Sequence, residues 1–378
     1  MTRRGFLFTA SSSSLSFAQP PAALSLRWGD GPSYPMFVKG GAMGAFADAV
    51  AYVGGSTYPW RESEAGWYFE PENGWTPAAP GSITSDAKKA LLGGGWKPLP
   101  AMPVGRAYTH GTAIDDSLVV VGGRWQMHGC REVFQLKRMS KADWRWEALP
   151  SLQQARCVPG VAAIGSLLIA AHGGDWDRVR GGAFTPRDVT LVEGLDLRAK
   201  QKGWRTLAPC PGGARVGAMT AAVNGRMYVF GGYDLWYENN QRRIKNLSDA
   251  YRYDPSTDRW EQLPALPAGA RNCGAVAWKD RYILLIGGIM EIPGGGGEVH
   301  QSIVVDPKRR VVMGQYSNRV MVYDTESRTY SSVNSLMPRG HGDIRACVMG
   351  SRVYALGGEN VDVTLSNCTN DFMVGEPA

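Results

Sequence analysis

Six times along the chain an apolar run ends in two glycines: AYVGG at Gly54-Gly55, VVVGG at Gly122-Gly123, AAHGG at Gly173-Gly174, YVFGG at Gly231-Gly232, LLIGG at Gly287-Gly288 and YALGG at Gly357-Gly358. An aromatic residue stands 26 or 27 positions before the first glycine of each pair: Trp28, Trp96, Trp146, Trp204, Trp260 and Tyr330. Units of this period do not bury an apolar face alone, so they must pack on one another. The apolar runs are short and bounded by glycine, which reads as strands buried on both faces. A glycine pair at a strand end lets the backbone turn through positive φ and lets a neighbouring sheet come close. The outer aromatic fills the wedge that opens between radially arranged sheets. The pattern predicts an all-β, six-bladed β-propeller.

The phase of the repeat adds detail. Trp28 sits where an outermost strand should lie, yet nothing before it supplies the inner strands of that blade. After Gly358 the chain offers one more strand, near Thr369 to Val374. Residues 24–29 are therefore expected to complete the last blade, which removes exposed sheet edges. Residues 19–378 are expected to form one propeller domain. Residues 1–18, with Arg3-Arg4 ahead of a mildly apolar, Ser-rich stretch, read as a twin-arginine-type export signal and predict a periplasmic or secreted bacterial protein. Two spacings between glycine pairs are long, with inserts through residues 77–95 and 290–315 that should decorate a face. In the first, Trp75 competes with Trp96 for the outer-strand position. The net charge of +7 is spread out, with no cluster of five Lys or Arg, which argues against a nucleic-acid partner. No later run reaches 18 apolar residues, so no membrane span is expected. The six cysteines lack metal-ligand spacing and read as buried thiols, with no metal or cofactor expected. The chain is expected to be a monomer.

In a four-stranded blade, the turn leading into the innermost strand and the turn leaving the second strand emerge on one face, around the central channel. The lead-in turns place Lys39, Arg106, Arg156, Arg215, Arg271 and Arg345 in register, with Arg339 as an alternative in the sixth. A ring of such cations would focus a field on the channel mouth and hold a carboxylate. The alternative is that each Arg satisfies carbonyls of its own blade. The turns after the glycine pairs carry Trp60, Trp125, Trp176, Trp236, Asp234, Glu238 and Glu359. Flat rings beside carboxylates suit a sugar, whose C–H face stacks while its hydroxyls are hydrogen-bonded. His341 and His128 lie near the mouth and could move a proton near neutral pH.

The repeat resembles the kelch repeat. The stretch Pro35-Met36-Phe37-Val38-Lys39-Gly40-Gly41-Ala42-Met43-Gly44-Ala45, together with Gly357-Gly358-Glu359, resembles the bacterial N-acetylneuraminate epimerases, exported six-bladed kelch propellers. The resemblance implies interconversion of sialic acid anomers, which needs an acid, a base and cations for the sugar carboxylate. It also implies a Glu directly after the glycine turn of the fourth blade and an Arg six residues on. Tyr233 occupies that position here. Glu238, Asp234 and Arg242 are the nearest alternatives, and with His341 they are the catalytic candidates. The competing expectation is a non-catalytic docking module whose partner is an acidic peptide or a cell-surface glycan.

Overall fold

The computed structural model describes residues 24–57, 61–72, 74–80, 95–177, 183–185, 189–239, 241–290, 299–306, 311–333, 335–360 and 368–378. The export-type stretch, Trp60 and much of both inserts lie outside the described residues. The described chain is almost entirely strand. Six four-stranded antiparallel sheets share one strand order, in which each inner strand pairs with the next in sequence and so outward. The first runs Ala42–Ala45, Val50–Val53, Gly66–Phe69 and Trp96–Pro98. The sixth runs Arg345–Met349, Arg352–Leu356, Phe372–Pro377 and then Leu26–Asp30. Leu26 faces Pro377 and Asp30 faces Met373, so the two ends of the chain share one blade, as the phase of the repeat implied.

The inner strands are Ala42–Ala45, His110–Ile114, Gly160–Ile164, Met219–Val223, Gly274–Trp278 and Arg345–Met349. Each contacts the inner strand before and after it, and the last contacts the first. This cyclic order makes the sheets the blades of a β-propeller. Six strands converge on one axis, which explains their many small residues, such as Gly111, Ala162, Ala221 and Ala275. They surround a central cavity of about 300 Å³. The second strands, such as Ser117–Val121 and Tyr282–Ile286, are buried along their whole length because each lies between two neighbouring blades.

Five of the six outer aromatics join blade to blade by a hydrogen bond, whereas Trp28 Nε1 is buried without one among the described residues. Trp146 Nε1 donates to Pro100 O at 2.9 Å, Trp204 Nε1 to Pro150 O at 2.7 Å, and Trp260 Nε1 to Ala208 O at 2.8 Å. Tyr330 does the same through its hydroxyl to Pro264 O at 2.8 Å, and Trp96 Nε1 reaches Pro32 O at 2.9 Å. In each case the acceptor belongs to the turn leaving the preceding blade. Trp96, not Trp75, takes the outer-strand place in the first blade; Trp75 packs on Phe69 and under the Arg352 guanidinium. All six cysteines are buried and free.

Trp204 combines nearly complete burial with an inter-blade hydrogen bond, so Trp204→Ala should lower the stability by about 3–5 kcal/mol and Trp204→Phe by less. Urea unfolding measures both; an Ala variant within 1 kcal/mol of wild type, a margin well below the usual cost of a core truncation, would contradict this packing.

Candidate active site at the channel mouth

Where the chain leads into each inner strand, three backbone features recur. The second residue of each turn donates its N–H to a carbonyl of the next blade: Gly55 to Arg106, Gly123 to Arg156, Gly173 to Arg215, Gly232 to Ala270, Gly288 to His341 and Gly358 to Val38. The sixth of these bonds closes on the first blade. The residue after each acceptor then pairs with the residue after the glycines, as in Lys39 with Ser56, Val216 with Tyr233 and Gly342 with Glu359. The next residue is left-handed in every blade: Gly40, Tyr108, Val158, Gly217, Asn272 and Asp343 have φ between 47° and 64°. These six stand around the mouth, and Val158 N–H donates to Tyr108 O while Asn272 N–H donates to Gly217 O. In the third blade the turn is His172-Gly173, with φ 59° and 101°, so the pair read as Gly173-Gly174 is shifted by one and a histidine takes the first glycine's place.

This frame corrects the alignment of the cations. Arg106, Arg156 and Arg215 are the acceptor residues themselves, in register with Val38, Ala270 and His341. Lys39 and Arg271 come one residue later, and Arg345 is the first residue of its inner strand. A one-residue shift sends a side chain to the opposite side of an extended backbone. Arg106 accordingly turns inward to Glu132 at 2.9 Å and Arg156 to the fully buried Glu193. Arg215 forms a bidentate pair with Asp249, both contacts 2.8 Å, and also donates to Gly231 O and Gly212 O. His341 fills the same role in the sixth blade, with Nε2 3.2 Å from Asp371 Oδ2, and is buried away from the mouth. Arg339 pairs with Asp30 and Asp371. The expected ring of six is therefore not assembled.

Three of the cations do converge. Lys39 Nζ lies 2.6 Å from Glu359 Oε2, across the junction of the sixth and first blades. Burial opposes the Lys39 charge, but Glu359 more than offsets it and holds the ammonium well above its usual range. The same carboxylate accepts the Tyr316 hydroxyl, whose ionisation is suppressed by burial and by Glu359. Gly342 makes room for Tyr316, since a Cβ there would sit 2.7 Å from the ring. Arg345 spans the top of the channel, donating to Gly41 O at 2.8 Å and Thr109 O at 3.1 Å. Arg271 stacks on Tyr233 with its guanidinium 4.7 Å from the ring centre. Among the described residues, Arg271 Nη1, Asn272 Oδ1 and Asp343 Oδ1 are buried without a hydrogen-bond partner. Burial, then Glu359, raise the Asp343 carboxyl to about 6, against the pull of Arg345, Lys39 and Arg271. His110 lower in the channel is brought down to about 3 by burial and by Arg345, and is neutral at physiological pH.

Small hairpins crown the mouth. Trp125 stands in Arg124–Trp125, opposite His128 of His128–Gly129, and Trp236 lies half-buried in the longer hairpin Tyr233–Glu238 with Gln241–Asn246. Glu238 is at the tip of that hairpin, exposed and paired with Arg243 at 3.1 Å. Asp234 faces Lys245 across it, and Arg242 faces Tyr237. The side chains of Arg242 and Trp176 lie outside the described residues. The second insert forms a further sheet, ordered Ala270–Arg271, Ile289–Met290, Val311–Ser317, Val299–Asp306, which places Tyr316 at the mouth. Asp343, Asn272, Tyr108 and Tyr316 were not picked out from the sequence. The signal for Asp343 and Asn272 was a short polar residue in register with Gly40 and Gly217, where a left-handed backbone is required.

Fold and site together describe a β-propeller with a charged, incompletely satisfied polar cluster at one end of its channel. By sequence this chain resembles the N-acetylneuraminate epimerases. A family model described as N-acetylneuraminate epimerase matches residues 190–292, which include Arg215, Tyr233 and Arg271. N-acetylneuraminate epimerase of Yersinia pseudotuberculosis is 28% identical over 178 residues, 44% of this chain and 45% of that protein. Proteins of the same name from Salmonella arizonae and Haemophilus influenzae are 24% identical over 185 residues and 35% identical over 102, covering 46% and 26% of their own lengths. The chain thus spans less than half the length of the curated relatives it matches.

The two kinds of cation should respond differently to truncation. Arg215→Ala strands Asp249, which burial pushes up but Arg215 holds below its usual range. Removing one partner of a buried pair costs about 3–5 kcal/mol, and partial exposure of Asp249 puts this case at the low end. A carboxyl depressed in the folded state gives stability above its unfolded pKa and loses it as pH falls through the folded value. The gap between wild type and Arg215→Ala in chemical denaturation should therefore be full at pH 7 and shrink in acid. A gap independent of pH would contradict the pairing.

Proposed function

We propose that the channel mouth binds a monosaccharide bearing a carboxylate and interconverts its anomers, with N-acetylneuraminate as the sugar that the relatives' name suggests. The observation that carries this reading is the set of unpartnered buried atoms on Arg271, Asn272 and Asp343. A buried polar group without a partner costs about 1–3 kcal/mol, and three on neighbouring turns suit a site completed by a ligand. Arg271 supplies a donor for the sugar carboxylate, and Asn272 supplies an acceptor for a hydroxyl or amide N–H. Tyr233 backs the Arg271 guanidinium, and Tyr108 occupies the left-handed slot of the second blade. Mutarotation removes a proton from the anomeric hydroxyl, breaks the ring C–O bond, protonates the ring oxygen, and then reverses these steps on the other face. The groups required are a proton-transferring side chain and cations to fix the carboxylate, and the buried acids and cations gathered around Asp343 support that reading. The export-type stretch at Arg3-Arg4 supports a periplasmic or secreted location.

Freshly dissolved N-acetylneuraminate, followed by NMR, should reach anomeric equilibrium faster in the presence of the protein. Arg271→Ala should weaken sugar binding in calorimetry by about 10- to 100-fold, the loss of a hydrogen bond to a charged group. Binding without faster exchange would support the docking-module reading instead. An absence of both would overturn this one.

A further inference from the structure

The fourth blade carries Tyr233 directly after its glycine turn, and Tyr233 is committed to stacking under Arg271. A phenol held in that way is a poor proton acceptor near neutral pH. Of the acids in the same hairpin, Glu238 is exposed at the tip beside Arg243, and Asp234 stands opposite Lys245. On the sixth blade, by contrast, Asp343 is buried, in a left-handed slot of the mouth, with Oδ1 unpartnered. We propose that Asp343 is the catalytic group that transfers the proton during anomer interconversion, and that Lys39, Glu359 and Tyr316 position it. This inference rests on the sugar reading above and deepens it.

The chemistry closes without a co-reactant. The Asp343 carboxylate takes the proton of the anomeric hydroxyl, and the freed O–H electron pair forms the carbonyl. The ring C–O bond breaks, its pair stays on the ring oxygen, and that oxygen takes the proton back from the Asp343 carboxylic acid. Rotation about the neighbouring bond exposes the other carbonyl face. The same two transfers in reverse then rebuild the ring with the opposite anomeric configuration. One carboxyl can serve both oxygens because both are bonded to the same carbon. The base strength suits the task. Burial and then Glu359 raise the carboxyl to about 6, so it is a carboxylate at neutral pH and still basic enough to accept a proton. Besides Glu359, the groups acting on it are Lys39, Arg271 and Arg345, with the neutral phenols Tyr108 and Tyr316 beside the same cluster.

The test uses the full protein and free N-acetylneuraminate. Asp343→Asn should fold, because Asn tolerates the left-handed backbone as well as Asp does. Its acceleration of anomer exchange should fall by about 100-fold or more, the range of general acid–base catalysis, while its Kd for the sugar should change by less than about tenfold, since Asn keeps the shape and the Oδ1 acceptor of Asp and loses only the charge. Wild-type exchange should rise with pH through a midpoint near 6, and that limb should vanish in the variant. Asp343→Glu should restore part of the rate and a pH-dependent limb. A carboxyl raised in the folded state favours folding at low pH and opposes it above the folded pKa. Asp343→Asn should therefore melt higher than wild type at pH 8, with the gap closing toward pH 4. Asp343→Asn that binds the sugar and keeps the wild-type rate overturns this proposal and leaves the sugar site standing. Wild-type protein that neither binds nor accelerates exchange overturns the sugar reading itself.

Discussion

The structure depends on one repeated hydrogen bond. In every blade the second residue of the turn, a glycine, donates its N–H to a backbone carbonyl of the following blade, and the last such bond returns from Gly358 to Val38. Each bond taken alone contributes about 1 kcal/mol, what a neutral hydrogen bond adds net. Their effect is geometric. They fix the distance between adjacent blades at the inner end, and they force the residue two positions after the acceptor into a left-handed conformation. The turn must be glycine or a residue that accepts the strain, because at Gly231 a Cβ would lie 2.3 Å from Ala270 O. Outer aromatics then set the spacing at the rim. A ring held at both radii is left with a narrow axial channel and a mouth whose composition is free to vary.

What varies at the mouth is chemically informative. Glycine would satisfy the left-handed slots without side chains, as Gly40 and Gly217 do. This chain instead places Tyr108, Val158, Asn272 and Asp343 there, each in a conformation that disfavours a side chain, at a cost on the order of 1–3 kcal/mol apiece. It also leaves polar atoms of Arg271, Asn272 and Asp343 buried and unpaired. Strain and unmet hydrogen bonds in one ring are hard to account for as packing. The arginines Arg106, Arg156 and Arg215 show the contrasting case: fully buried, each with its own carboxylate, they hold blade turns together and offer little to a ligand.

Much of the frame was legible in the sequence, because the features that encode it are local and periodic. The glycine pairs, the outer aromatics from Trp28 to Tyr330, and the completion of the last blade by Leu26–Asp30 all follow from spacing. The site was legible only in part. Lys39, Arg271, Arg345 and Glu359 were expected at the mouth and do gather there. Arg106, Arg156 and Arg215 were aligned with them because a one-residue offset in a turn leaves no mark on composition, although it reverses the side chain. The His172 substitution hid the true turn of the third blade for the same reason. Tyr316 could not be read at all, since it reaches Glu359 from an insert whose path depends on tertiary folding. Asp343 lies two residues after His341, and sequence alone favours the histidine. A histidine suggests proton transfer, yet the fold buries that histidine against Asp371 and sets Asp343 in the left-handed slot of the sixth blade.

The most direct measurement is a crystal structure of the protein soaked with N-acetylneuraminate. The account predicts sugar density at the channel mouth, its carboxylate on Arg271 and its anomeric oxygens toward Asp343. Density on an outer rim or on the opposite face, with Arg271 and Asp343 turned away from the channel, would contradict it.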